Sequence, residues 1–191
     1  TASIQQLIEQ TKTVSPDNVP NFLSSISDYI NKNELLDNEK DSLMELILSL
    51  TSGTPPLIQR SAYSLCNTTL NVVEFSSQKL SDFTNNLLNQ LKSTLSTSPD
   101  RSKVLYDEAK TLTRNIQKAI GADAFWKNFS ECFLEKSPHL KLVSLDLLYE
   151  TLNIEENFKT NSFIQSVFKL LRDKSSQDVK NRAFDIVSLL Y

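Results

Sequence analysis

The sequence predicts an all-α solenoid of about five stacked helix pairs. Three observations carry that prediction. The first is spacing. Four of the six prolines occupy matching places, in Ser15-Pro16, Thr54-Pro55, Ser98-Pro99 and Ser137-Pro138, and each precedes an apolar helical pattern. These prolines lie 39, 44 and 39 residues apart, and a fifth equivalent start, Ser175-Ser176-Gln177-Asp178, begins 38 residues after Ser137. A hydroxyl residue ahead of proline reads as a helix start: its oxygen accepts an orphan backbone N–H, and proline at the first helical position forfeits no hydrogen bond. The second observation is glycine. Only Gly53 and Gly121 occur in 191 residues, which leaves no room for glycine-rich phosphate loops or tight hairpins. The third is a recurring apolar face. Val179, Ala183, Ile186, Val187 and Leu190 line one side of a helix. Leu140, Ser144, Leu147, Leu148 and Thr151 occupy that face 39 residues earlier, and Ile58, Ala62, Leu65 and Cys66 do so 121 residues earlier.

A repeat of about 40 residues built from paired helices has the HEAT/armadillo period. The first pair is expected over 3–12 and 17–32. It is the weakest, because Pro20 follows Pro16 and its first helix is short, so it reads as a degenerate or capping repeat. The second pair covers 38–51 and 56–73. The third covers 77–95 and 99–120, and its Leu105 and Ala109 match Val179 and Ala183 only if a turn is added after Ser98-Pro99. The fourth covers 122–135 and 138–152. Its only tryptophan, Trp126, shares a helix with Phe125, Phe129 and Phe133 and reads as an aromatic core stripe. The fifth covers 160–172 and 177–190. The small residue at the second position of the recurring face is expected to let paired helices approach closely. No repeat buries its own apolar face, so neighbours stack, and the stack has two edges. One carries the loops within pairs, the other the loops between pairs.

Composition narrows the function. Hydrophobic residues make 39% of the chain, charged residues 23%, and the mean hydropathy is −0.29, an ordinary globular profile. A net charge of −3 without basic runs argues against nucleic acid, and no apolar stretch is long enough for a membrane. Residues 1–191 read as a single domain cut from a longer protein, with any oligomerisation residing elsewhere in it. Cys66 and Cys132 fall inside helices and read as buried free thiols in a reducing, cytoplasmic compartment. Sequons at Asn67 and Asn128 also fall inside helices and read as chance. Catalysis needs converging groups. The one histidine, His139, follows a proline at a helix start, and the adjacent pairs Asp107-Glu108 and Glu155-Glu156 point to different helix faces. No Cys-x-x-Cys, Walker or Gly-x-Ser-x-Gly pattern occurs. The expectation is a binding module, not an enzyme, with no cofactor or metal.

Charge separates the two edges. Near the intra-pair loops stand nine basic residues, Arg60, Arg101, Lys103, Lys136, Lys141, Arg172, Lys174, Lys180 and Arg182, against five acids, Asp17, Asp100, Glu135, Asp173 and Asp178. Near the inter-pair loops the balance reverses, with seven acids against four lysines. A basic edge on an acidic protein steers an acidic partner toward it.

Two stretches carry a narrower resemblance. Glu135-Lys136-Ser137-Pro138-His139-Leu140-Lys141-Leu142 and Arg172-Asp173-Lys174-Ser175-Ser176-Gln177-Asp178-Val179-Lys180-Asn181-Arg182-Ala183 look like HEAT intra-repeat turns. They resemble the last two turns of TOG domains, as found in CLASP-like microtubule regulators. The resemblance implies tubulin binding through the intra-pair edge and a microtubule-associated location in the cytoplasm. By position, it implies Gly53 and Thr54 in the second turn, Lys136 and Lys141 in the fourth, and Lys174 and Lys180 in the fifth. Arg101 and Lys103 in the third turn complete the expected site. The first turn, Thr13 to Asn18, holds no aromatic residue where many members of the family place a tryptophan, and five repeats are counted where many have six. The residues alone leave two alternatives open: a generic HEAT scaffold or chaperone for another protein or peptide, and a divergent TOG-like spacer without tubulin affinity.

Overall fold

The computed structural model describes residues 2–191. Among them it forms ten α-helices and no strand. α1 (Ile4–Thr13) opens with a capping box: Ser3 Oγ accepts from the Gln6 N–H, and Gln6 Oε1 accepts from the Ser3 N–H. A 3-10 turn at Pro16–Asn18 leads into α2 (Val19–Lys32). The second pair is α3 (Asp37–Leu50) and α4 (Pro56–Val72). The third is α5 (Ser77–Leu95) and α6 (Lys103–Ile120), joined through a 3-10 turn at Pro99–Arg101. The fourth is α7 (Ala122–Phe129), a 3-10 segment at Ser130–Leu134, and α8 (Pro138–Ile154). The fifth is α9 (Ile164–Leu170) and α10 (Gln177–Leu190).

The paired repeat expected from the sequence is present, with three local differences. The second helix of the third pair does not run unbroken from 99. Ser102, at φ −160° and ψ 82°, separates the 3-10 turn from α6, which supplies the added turn that the Leu105–Ala109 alignment requires. The first helix of the fourth pair tightens to 3-10 winding after Phe129, and Cys132 and Phe133 are buried in that tighter turn. The first helix of the fifth pair is only seven residues long, because residues 161–163 form turns rather than helix.

The hydroxyl-proline starts are used unequally. Ser137 and Ser98 accept backbone N–H groups, from Leu140 and Asp100. Ser176, not Ser175, caps α10 by accepting from Val179. Ser15 makes no capping bond. Thr54 faces backward: its hydroxyl donates to the Leu50 carbonyl at 2.8 Å and closes α3, while Pro55 takes the cap position of α4.

Packing follows the repeated face. α1, α3, α5 and α7 stack in one row, while α2 packs on α4, α4 on α6 and α8 on α10 in the other. Ala62, Ala109, Ser144 and Ala183 are fully buried at equivalent positions, flanked by buried Ile58, Leu105, Leu140 and Val179. α2 departs by placing Leu23 there. Polar members of the core satisfy themselves within their own helix. Thr69, Thr113, Ser144 and Thr151 each donate to the carbonyl four residues back, at 2.8 Å.

An aromatic knot holds the fourth and fifth pairs. Trp126 is 1% exposed, with Phe125 and Phe129 edge-on to it and Phe133 and Phe163 stacked on it. Its indole N–H points at Thr151 Oγ1, 3.4 Å away. The core reading of Trp126 therefore holds. Cys66 and Cys132 are buried free thiols, and burial pushes the Cys132 thiol up to about 12, so neither is poised to react.

α6 and α8 meet through long polar side chains. Arg114 grips Glu150 with two hydrogen bonds at 2.9 and 2.8 Å, and Gln117 donates to Thr151. That pairing holds the Arg114 guanidinium up and the Glu150 carboxyl down from their ordinary values. Both side chains are more than a third exposed, which limits what the pair adds to stability.

Candidate protein-binding edge

The five intra-pair loops lie along one edge of the stack, since each joins the two antiparallel helices of a pair. From the second loop on, bonds between repeats brace this edge. Thr51, at the end of α3, hydrogen-bonds Gln90 of α5. Tyr63 of α4 meets Thr94 of α5 at 3.2 Å. Ser137 donates to the Ser96 carbonyl at 2.8 Å, tying the fourth loop to the third. Lys141 Nζ pairs with Asp173 at 2.8 Å, tying the fourth repeat to the fifth loop. The first loop has only local bonds, such as Asn18 to Ser15.

Asp173 organises the fifth loop. Its Oδ1 accepts from the Ser175 N–H at 2.8 Å, the Ser175 hydroxyl at 2.6 Å and the Ser176 N–H at 3.0 Å. Its Oδ2 takes the Lys141 ammonium, and the carboxylate side chain is 5% exposed. Burial alone raises a carboxyl's pKa. Here Lys141 and Ser175 outweigh it and hold Asp173 down at about 2. The charge tally counted Asp173 merely as an acid opposing the basic edge. The signal for its true role lies in the string Asp173-Lys174-Ser175-Ser176, where an aspartate can gather the N–H groups two and three residues on.

The expected site residues divide into two groups. Arg101 and Lys103 on the third loop, Lys136 on the fourth and Lys174 on the fifth are exposed, and Lys180 on the first turn of α10 is half-buried. None of these five forms an ion pair among the described residues, and neither does exposed Arg172. Gly53 is exposed at φ +70°, a conformation that favours glycine, and Thr54 beside it is half-buried. Lys141 belongs to the other group: its side chain is 14% exposed and turned onto Asp173. Arg60 and Arg182, counted among the basic residues of the edge, are also paired, Arg60 with Glu108 at 3.0 Å and Arg182 with Asp146 at 2.7 Å. The unpaired positive charge of the edge therefore sits on the third, fourth and fifth loops.

The opposite edge exposes Glu34, Asp37, Glu74, Asp123, Glu155 and Glu156. Two of its lysines are engaged there, Lys79 with Asp41 and Lys40 with the Glu74 carbonyl. Among the described residues no cluster of three metal-ligating side chains occurs, and no helix is long and apolar enough to cross a membrane. The sequon asparagines are both in side-chain hydrogen bonds, Asn67 with Asn115 and Asn128 with Asn85.

No protein-family model matches the sequence, and no curated protein matches it. Solved structures match it in fold. The chain aligns over its whole length with 84% of the MAST/Orbit N-terminal domain crystal structure, at TM-score 0.79 and 15% identity. It aligns over 97% of its length with 75% of a chain from a structure of crescerin, described as using a TOG domain array to regulate microtubules in the primary cilium, at TM-score 0.74 and 12% identity. The fold is thus that of a TOG domain, a HEAT-like helical solenoid.

Proposed function

We propose that this chain is a non-catalytic tubulin-binding domain that docks through its third, fourth and fifth intra-pair loops. One observation carries the reading. The six unpaired basic side chains of that edge, Arg101, Lys103, Lys136, Arg172, Lys174 and Lys180, stand on loops cross-braced between repeats. A rigid basic edge meets an acidic surface with little ordering cost. The fold supports the choice of partner, since crescerin's TOG array is described as regulating microtubules. On this reading Gly53 and Thr54 extend the footprint to the second loop. Lys141 acts from behind, by fixing Asp173. The expected location is the cytoplasm, on microtubules.

Size-exclusion co-elution with unpolymerised tubulin tests this, run at low and at high salt. Salt-sensitive co-elution is expected, as screening weakens exposed charge pairs. Reversing Lys136 and Lys174 to glutamate should abolish it while leaving thermal unfolding unchanged. Equal binding by the reversed protein removes the edge from the reading. Binding to another protein that is indifferent to salt favours the generic scaffold instead.

A further inference from the structure

We propose that Ser98 is a phosphorylation site for a proline-directed protein kinase, and that its phosphate turns the basic edge off. The second half rests on the tubulin-binding reading above. All four Ser/Thr-Pro dipeptides lie at intra-pair loops. Kinases of this class select proline after the acceptor because proline brings no N–H to leave unsatisfied in an apolar pocket. A basic residue two positions beyond the proline adds an ionic contact. Only Ser98-Pro99-Asp100-Arg101 supplies one. The matching positions after the other three dipeptides hold Asn18, Leu57 and Leu140.

The structure separates Ser98 from Thr54 and Ser137 in the same direction, while exposed Ser15 is set apart from it by the missing basic residue. The Thr54 hydroxyl donates to the Leu50 carbonyl at 2.8 Å. The Ser137 hydroxyl donates to Ser96 at 2.8 Å and caps α8. Ser15 accepts from Asn18 at 3.1 Å. Ser98 has only two weak contacts, the N–H and the carboxylate of Asp100, both at 3.4 Å. Ser98 is half-buried with an extended backbone, at φ −63° and ψ 133°; Pro99–Arg101 after it form a 3-10 turn, and Thr97, Asp100 and Arg101 around it are exposed. A kinase cleft takes an extended segment, so the single 3-10 turn after Ser98 opens as the serine enters it.

The reaction uses ATP as donor. Ser98 Oγ bonds to the γ-phosphorus as the bond from that phosphorus to the β–γ bridging oxygen breaks. ADP leaves with the electron pair, and the hydroxyl proton passes to the kinase's carboxylate base. The product adds about −1.5 to −2 charges to a loop whose next ionisable residues are Asp100, Arg101 and Lys103. Attraction to the two cations and repulsion from Asp100 both turn the phosphate toward the basic pair. The charge that would meet an acidic partner at the third loop is neutralised. The Ser137–Ser96 bond keeps Lys136 of the fourth loop near the same field.

The experiment incubates residues 1–191 with a purified proline-directed kinase and ATP, maps the phosphate by mass spectrometry, and repeats tubulin co-elution at low salt. Phosphate on Ser98 is expected, and apparent affinity should fall about tenfold. Ser98→Ala treated identically should keep its affinity. Phosphate confined to Ser15 or Ser137, or none at all, overturns the site. Phosphate on Ser98 with unchanged co-elution overturns the switch. If the untreated chain fails to bind tubulin, the functional reading fails, while the mapping still decides whether Ser98 is the acceptor.

Discussion

The first two intra-pair loops and the last three are built from similar residues but do different work. Val14 to Asn18 and Thr51 to Pro55 hold prolines, hydroxyls and one glycine, and no basic residue. The third, fourth and fifth loops hold the same hydroxyl-proline or hydroxyl-polar starts, plus the unpaired cations. They are also braced by Ser137 on Ser96 and Lys141 on Asp173. Bracing reaches the second loop as well, through Thr51 on Gln90, but bracing and free charge coincide only in the last three loops. A repeat protein can specialise a few turns while the helices behind them keep one shared packing face.

Breaking the core behind the charged loops should have the largest effect. Trp126 fills the space between Phe125, Phe129, Phe133 and Phe163. Trp126→Ala removes that contact surface and is expected to cost about 3–5 kcal/mol in urea unfolding. The corresponding truncation to alanine behind the early loops, Ile26→Ala, should cost about 2–3 kcal/mol, the low end for an aliphatic core residue. Equal losses would mean that the aromatic knot is not the mainstay of the C-terminal repeats.

Next in size is the clamp under the fifth loop. Lys141→Met keeps the apolar stem but leaves the Asp173 carboxylate without its ammonium. The expected loss is about 1–3 kcal/mol, with faster amide exchange at Ser175 and Ser176. The pair also predicts a pH dependence. Asp173 at about 2 lies below the ordinary unfolded value of about 3.9. Its contribution is therefore whole above pH ~4 and lost as pH falls toward 2. Acid titration of unfolding should show a smaller drop in that window for Lys141→Met than for the wild type. An unchanged window would mean that Lys141 does not set the Asp173 titration.

The second loop offers a smaller test. Gly53 sits at φ +70° with open space where a Cβ would stand, so alanine meets no clash there. The cost of Gly53→Ala is backbone strain alone, about 1–2 kcal/mol by thermal melting. A neutral result would show that this loop relaxes at Gly53 in spite of the Thr51–Gln90 bond beside it.

What could be read from the chain follows the range of the interactions. Helix pairs and the small buried residue at Ala62, Ala109, Ser144 and Ala183 were legible because a 3.6-residue period is local. The fate of a lysine was not. Lys141 and Lys136 look alike in the string, but Lys141 meets a carboxylate 32 residues away and Lys136 meets none. The pairing of Arg60 and Arg182 was hidden for the same reason, their partners Glu108 and Asp146 lying 48 and 36 residues off. The 3-10 winding after Phe129 likewise depends on where Phe133 finds Trp126 and Phe163 to stack on.

The finest contrast is between two serines in the same dipeptide. Ser15 and Ser137 each precede proline, and from sequence they are equivalent helix starts. Ser137 accepts from the Leu140 N–H and donates to the Ser96 carbonyl, so its hydroxyl both caps α8 and joins two loops. Ser15 accepts one side-chain amide from Asn18 and caps nothing. Ser137→Ala should therefore cost about 1 kcal/mol, whereas Ser15→Ala should stay within about 0.5 kcal/mol of wild type. Because the two changes are chemically identical, their difference in urea unfolding isolates the bonds rather than the residue. Adding Ser137→Ala to Lys141→Met extends the comparison. The two braces lie at opposite sides of the fourth loop, and a loss greater than the sum of the single changes would show that they hold it as one unit. Simple additivity would instead mean that each fixes its own neighbour, with the third and fifth loops free to move apart when a partner binds.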